Sequence, residues 1–157
     1  MRILGIDPGI GRMGWGIVDK EGQKVEVVDF GCATTESTTD IATRLKEIHR
    51  CVSDLIEKYN PTEFAIEELF FNTNAKTAFI VGQARGVILL AAGQNSLTPA
   101  IYTPLQVKIA LTGYGRAEKR QVGEMVKTSL KLKKIPTPDD TADALAVALT
   151  HAFSIRK

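Results

Sequence analysis

Several features that would announce a function are scarce or missing in these 157 residues. There are two cysteines, Cys32 and Cys51, and two histidines, His49 and His151. Neither pair has the spacing of a metal-ligand set, so no structural zinc site is expected; two separated thiols fit buried positions in a reducing compartment. No uninterrupted apolar run reaches bilayer length. The opening Met1-Arg2-Ile3-Leu4-Gly5-Ile6-Asp7 meets an acid and a proline too soon for a signal peptide. These absences lead to the expectation of a cytoplasmic protein without membrane contact. No Walker-type loop is found. No linker, repeat or low-complexity segment divides the chain, so residues 1–157 are expected to form one domain. The formal net charge is only +2, too small to mark a nucleic-acid binder.

Distribution says more than the sum. Acids are frequent in the first half, whereas from Arg85 onward basic residues accumulate: Lys108, Arg116, Lys119, Arg120, Lys127, Lys131, Lys133 and Lys134. Taken alone, this bias reads as ordinary solvated surface.

The hydrophobic pattern predicts three strands first: residues 2–7, 14–19 and 24–33, joined by short turns as an antiparallel meander. The period then changes. Ile41, Leu45, Ile48, Val52, Leu55, Ile56 and Tyr59 recur at helical spacing, with Ser37 and Asp40 as a candidate capping box and Asn60-Pro61 as the stop. Residues 64–67 read as a short buried strand. A second helix runs to about Ala92, its Gly82, Ala84, Gly86 and Ala91 permitting close packing. A fifth strand spans 99–103, and Pro104 suits the first turn of a short helix. Further helices are expected over 117–131 and from about Pro138. The order βββ-α-β-α-β-α-α-α predicts an α/β fold: one mixed sheet of three antiparallel then two parallel strands, with helices on both faces.

Three segments carry acids in unusual places. In Gly5-Ile6-Asp7-Pro8-Gly9 an acid ends a strand and glycines follow, so a backbone, phosphate or metal can approach closely; a plain Asp-Pro-Gly turn explains the motif equally well. In Ala65-Ile66-Glu67-Glu68 an acid closes a buried strand. Alternation puts Glu67 on the face of Ala65 and leaves Glu68 for solvent. In Asp139-Asp140-Thr141-Ala142-Asp143 the macrodipole accounts for the first two acids but poorly for Asp143, which leads into an apolar helix. Asp140 and Asp143 share a helix face. Four carboxylates in one crevice repel by ~4 kcal/mol per pair at 4 Å and an effective dielectric of 20. Cations must therefore neutralise them, and carboxylate oxygens suit Mg²⁺ or Mn²⁺. Two such ions in one site can drive phosphodiester hydrolysis.

Taken in order, Gly5-Ile6-Asp7-Pro8-Gly9, Ala65-Ile66-Glu67, Gly82-Gln83-Ala84-Arg85-Gly86, Ala117-Glu118-Lys119 and Asp140-x-x-Asp143-Ala144-Leu145-Ala146 resemble the RuvC family of crossover-junction endodeoxyribonucleases, in the RNase H-like superfamily. The match is collinear over nearly the whole chain. It implies an endonuclease with Asp7, Glu67, Asp140 and Asp143 as catalytic ligands of two Mg²⁺ ions, with Mn²⁺ as a substitute and Asp7 bridging. The implied substrate is a four-way (Holliday) junction in recombination and repair. Paired symmetric nicks by a homodimer would leave 5′-phosphate and 3′-hydroxyl ends, and the RuvA–RuvB branch-migration complex would be a partner. The helix after Glu67 is the candidate dimer interface. The resemblance also places Phe70 against junction bases and Lys108 and Lys119 near scissile phosphates. Arg85 matches a family segment, and Arg12, Lys76, Arg116 and Arg120 are looser phosphate contacts.

Three other readings compete. Actin-like or sugar-kinase-like ATPases open with a similar Asp-x-Gly strand and turn, but they enclose the nucleotide between two such domains. A related nuclease acting on RNA or RNA–DNA hybrid would share the carboxylates. A non-catalytic junction-binding module would usually have lost one of the four acids.

Overall fold

The computed structural model describes residues 1–69 and 75–155. Phe70, Phe71 and the segment through Asn74 lie outside the described residues. The elements run β1 (Arg2–Asp7), β2 (Arg12–Glu21), β3 (Lys24–Thr34), α1 (Ile41–Tyr59), β4 (Glu63–Glu67), α2 (Ala75–Gln94), β5 (Pro99–Tyr102), α3 (Pro104–Thr112), α4 (Lys119–Ser129) and α5 (Asp139–Ser154). The five strands form one sheet in the order β3-β2-β1-β4-β5, antiparallel among the first three and parallel across β1, β4 and β5. This is the expected mixed α/β, RNase H-like architecture, in the expected element order.

Local chemistry accounts for the helix ends. Asp40, not a Ser37 box, starts α1, since its carboxylate accepts from the Thr43 N–H. One acceptor at the N-cap suffices, and Ser37 lies too far upstream to reach the first turn. Asn60 ends α1 in the left-handed region, at φ 47°, a conformation asparagine tolerates better than most residues. Thr103 caps α3 through a reciprocal pair with Gln106, and Pro104 follows in the first turn, where its missing N–H costs nothing.

Two cores sit on the two faces of the sheet. On one, α5 covers Ile3, Val18 and Ala65, with Val122 and Val126 of α4 and Val107 and Leu111 of α3 packed beside it. On the other, α1 and α2 cover Leu4, Ile6, Ile17, Phe64 and Ile66. The far end of α5 is pinned by His151, which is buried. Its Nδ1 lies 2.8 Å from the Tyr102 hydroxyl and its Nε2 3.3 Å from Glu63. The histidine that was isolated in sequence thus ties α5 to β4 and β5.

Helix α2 corrects two expectations. Arg85 interrupts its apolar sequence, yet the helix as a whole is long and apolar enough, by length and composition alone, to cross a bilayer. Its small residues also divide in role. Ala84 and Ala91 are buried within the fold, whereas a Cβ at Gly82 or Gly86 would meet nothing. Phe79 and Leu90, which share a stripe with Gly86, are 69% and 54% exposed.

Candidate active site

Asp7 and Glu67 close neighbouring parallel strands. Ile6 lies opposite Ile66 in the register, so the next residues stand side by side at one edge of the sheet. Alternation sends both side chains to the face of Gly5 and Ala65, which is the face α5 covers. Helix α5 starts at this same edge, with Asp140 in its first turn and Asp143 one turn on.

What brings the helix so close is the absence of side chains beneath it. A Cβ on Gly14 would lie 1.8 Å from the Asp140 carbonyl oxygen, one on Gly5 would lie 2.5 Å from that of Ala144, and one on Gly16 would lie 2.5 Å from Leu145 Cδ2. Only hydrogen fits there. Of the glycines in the turn after Asp7, Gly9 is also needed for a backbone approach, 2.1 Å from the Arg12 carbonyl oxygen, while Gly11 has open room. The glycines that seat the acids are therefore mostly in the strands.

The four acids share one electrostatic neighbourhood. Burial, then the negative charges of Glu67, Asp143 and Asp140, push the Asp7 carboxyl up to about 8, against the pull of Lys119. Burial and Asp143 push Glu67 up to about 7, against Lys119 and Lys108. Asp143 is raised by burial even though Lys119 donates to it. Asp7 and Glu67 lie closest to the sheet, where water is least available to solvate a charge.

Two basic side chains reach into this cluster. Lys119 Nζ lies 2.8 Å from Asp143 and 3.4 Å from Asp139. Arg12 Nε lies 3.2 Å from Asp140 Oδ2, but off the line of a hydrogen bond. That oxygen is buried and has no hydrogen-bond donor.

Comparisons with known proteins show the family. The family model described as crossover junction endodeoxyribonuclease RuvC matches residues 3–151. The chain belongs to the RuvC family. Among curated relatives, the RuvC of Brevibacillus brevis is 55% identical over 152 residues, covering 97% of this chain and 92% of that one. The Thermus thermophilus RuvC structure superposes with a TM-score of 0.91 at 40% identity, covering 98% of this chain and 94% of that one. The same protein in complex with Holliday junction substrate gives 0.93 at 40% identity, with 98% and 93% covered.

For a RuvC-family chain the next question is whether the acids suit divalent cations. Among the described residues, no three Asp, Glu, His or Cys side chains are drawn together as a ready-made metal cage. Asp143 is engaged by Lys119 and Asp140 faces Arg12. The chemistry nevertheless fits. The donors are all hard carboxylate oxygens, two of the carboxyls are pushed up by burial and then by their negative neighbours, as a cation would relieve, and one buried oxygen lacks a donor.

The remaining candidates are placed as follows. Lys108, half-buried on α3, acts on Glu67 through its charge. Arg116 and Arg120 are exposed on either side of the α4 start, and Lys76 is exposed in the first turn of α2. Arg85 is half-buried in the middle of α2, its Nε buried without a hydrogen-bond partner. Phe70 lies outside the described residues. Cys32, expected as a plain buried thiol, is half-buried; it pairs with Gly14 across β2 and β3, and its thiol is raised by burial and then by the charge of Asp140. The strand register that places it there has no signature in the sequence.

Proposed function

We propose that this chain is an endonuclease that resolves four-way DNA junctions by paired, symmetric nicks, and that residues 1–157 act as one nuclease domain. The observation that carries the proposal is that Asp7 and Glu67 end neighbouring strands at the sheet edge where α5 begins with Asp140 and Asp143. The relatives' printed names, and the junction complex of the Thermus thermophilus protein, favour DNA over RNA as the substrate.

Asp7, Glu67, Asp140 and Asp143 would hold two Mg²⁺ ions, or Mn²⁺ in their place. Bound there, the ions would supply activation of water and charge stabilisation at the leaving oxygen, with 5′-phosphate and 3′-hydroxyl ends expected. The protein's own part is orientation and charge. Asp7, central and facing the other three acids, suits a bridging role. Asp7 and Glu67 must give up their protons to bind cations, so cation binding releases protons. Lys108 and Lys119 would stand near the scissile phosphates and Phe70 against junction bases; Arg12, Lys76, Arg116 and Arg120 would be looser phosphate contacts, and Arg85 is included by its family segment.

A homodimer would present two such sites to the two like strands of the junction. The stripe of Phe79, Gly86 and Leu90 on α2 is the proposed interface, with glycine allowing close helix approach. The cytoplasm is the proposed location and RuvA–RuvB the proposed partner.

The test is cleavage of an end-labelled mobile four-way junction beside a linear duplex and an RNA–DNA hybrid, with Mg²⁺ or EDTA and an Asp7→Asn control. Paired nicks on the junction alone, requiring both Mg²⁺ and Asp7, are expected. Cutting of the hybrid alone would overturn the substrate, and binding without cutting would overturn the enzyme.

A further inference from the structure

Lys119 is the first residue of α4, and α4 packs against α5 through Val122 and Val126. That packing fixes the lysine stem beside the first turns of α5. From there its ammonium reaches Asp143 at 2.8 Å and Asp139 at 3.4 Å. The two ends of the main pair differ in exposure: the Lys119 side chain is 58% exposed, Asp143 only 28%. The ammonium thus enters from the solvent side and lies against Asp143 Oδ2.

An ammonium at hydrogen-bond distance takes a lone pair of that carboxylate, and its charge repels any divalent cation drawn to the same oxygens. The contact and the cation therefore compete for Asp143. Arg12 is not equivalent, because it stands near Asp140 without hydrogen-bonding it.

We propose that Lys119 is a tethered counter-ion that competes with the divalent cation for Asp143, so that cation binding and release of Lys119 are one coupled event. This rests on the reading of the four acids as metal ligands. Lys119 in this role is a positioning residue: it holds Asp143 until the cation arrives, and is set free at the sheet edge when it does. Because coupling is reciprocal, whatever draws Lys119 away, a DNA phosphate included, tightens the cation site.

The experiment is calorimetric titration of Mn²⁺ into the full chain at pH 8, low salt and without DNA, for the parent and for Lys119→Met, Lys119→Arg, Lys108→Met and Asp7→Asn. Lys119→Met is expected to tighten Mn²⁺ binding on the order of two- to fivefold, the range for release of one partly exposed ion pair. Lys119→Arg, which keeps the pair, should stay near the parent. Lys108→Met removes a charge that acts on Glu67 without an ion pair to the acids among the described residues, and should tighten Mn²⁺ binding less than Lys119→Met does. Unchanged or weaker binding in Lys119→Met, or equal tightening in Lys108→Met, overturns the proposal while leaving the metal site standing. If Asp7→Asn does not reduce Mn²⁺ binding, the metal-site reading falls, and the proposal with it.

Discussion

Gly14 carries the Asp140 backbone: the Cβ that Gly14 lacks would stand 1.8 Å from the Asp140 carbonyl oxygen. One hydrogen atom on β2 therefore sets how closely the start of α5 lies on the sheet, and with it how near Asp140 comes to Asp7. Gly14→Ala must push the helix away or distort the strand. The expected cost is about 3 kcal/mol or more, at the upper end for overpacking a filled interior. Urea unfolding of Gly14→Ala beside Gly11→Ala, where room is open, measures it. Equal stability of the two variants would refute the argument.

Asp7 and Glu67 make the stability of the EDTA-treated protein fall as pH rises. Each folded-state pKa, about 8 and about 7, lies above the unfolded value, so the native chain holds protons that the unfolded chain has lost. Their contribution is complete below about pH 4 and is lost as pH climbs through 7 and 8. Asp7→Asn should therefore stabilise the EDTA-treated protein at pH 8.5 by about 2 kcal/mol, the repulsion of one charge pair roughly 8 Å apart at an effective dielectric of 20. Thermal melts across pH 5–9 would show the two curves converging at the acid end. Parallel curves would contradict the shifts.

The neighbours of the proposed ligands should behave unlike those ligands. Glu68 is exposed and Asp139 is 74% exposed. Glu68→Gln and Asp139→Asn are expected to keep junction cleavage within about threefold of the parent, whereas Glu67→Gln and Asp143→Asn lose about a hundredfold or more, as when a transition-state charge contact is removed. Single-turnover cleavage rates decide this, with junction affinity measured in parallel to show that binding persists.

The basic residues at the sheet edge should act on DNA without regard to sequence. Arg116→Ala and Arg120→Ala are each expected to weaken junction binding and to lower the log–log salt slope by about 1, the signature of one lost phosphate contact. An unchanged slope would return that residue to ordinary solvated surface.

Much of this arrangement was legible in the sequence because it follows short-range rules. The period of α1, the proline at the start of α3 and the strand alternation that separates Glu67 from Glu68 all act within a few residues, and each predicts what the structure has. Long-range relations were not legible. Nothing local to Lys119 says that Asp143 is its partner, and the sequence pattern alone offered it to solvent or, by family resemblance, to a phosphate. Nothing near Gly14 or Gly16 says that a helix more than 120 residues later lies on them. His151 looked isolated because its partners, Tyr102 and Glu63, are distant in sequence. The outward glycines of α2 were taken with the inward alanines because composition alone does not tell which way a helix faces.

The dependence of the site on α5 has a consequence for the growing chain. Asp7 and Glu67 emerge from the ribosome early, but Asp140 and Asp143 belong to the last of the described elements, and Gly5, Gly14 and Gly16 stay uncovered until that helix arrives. Synthesis proceeds from the N-terminus. A chain broken off before α5 carries half of the acids and none of the helix that frames them. On the proposed reading of the four acids, no translational fragment that stops short of Asp143 can be an unregulated nuclease.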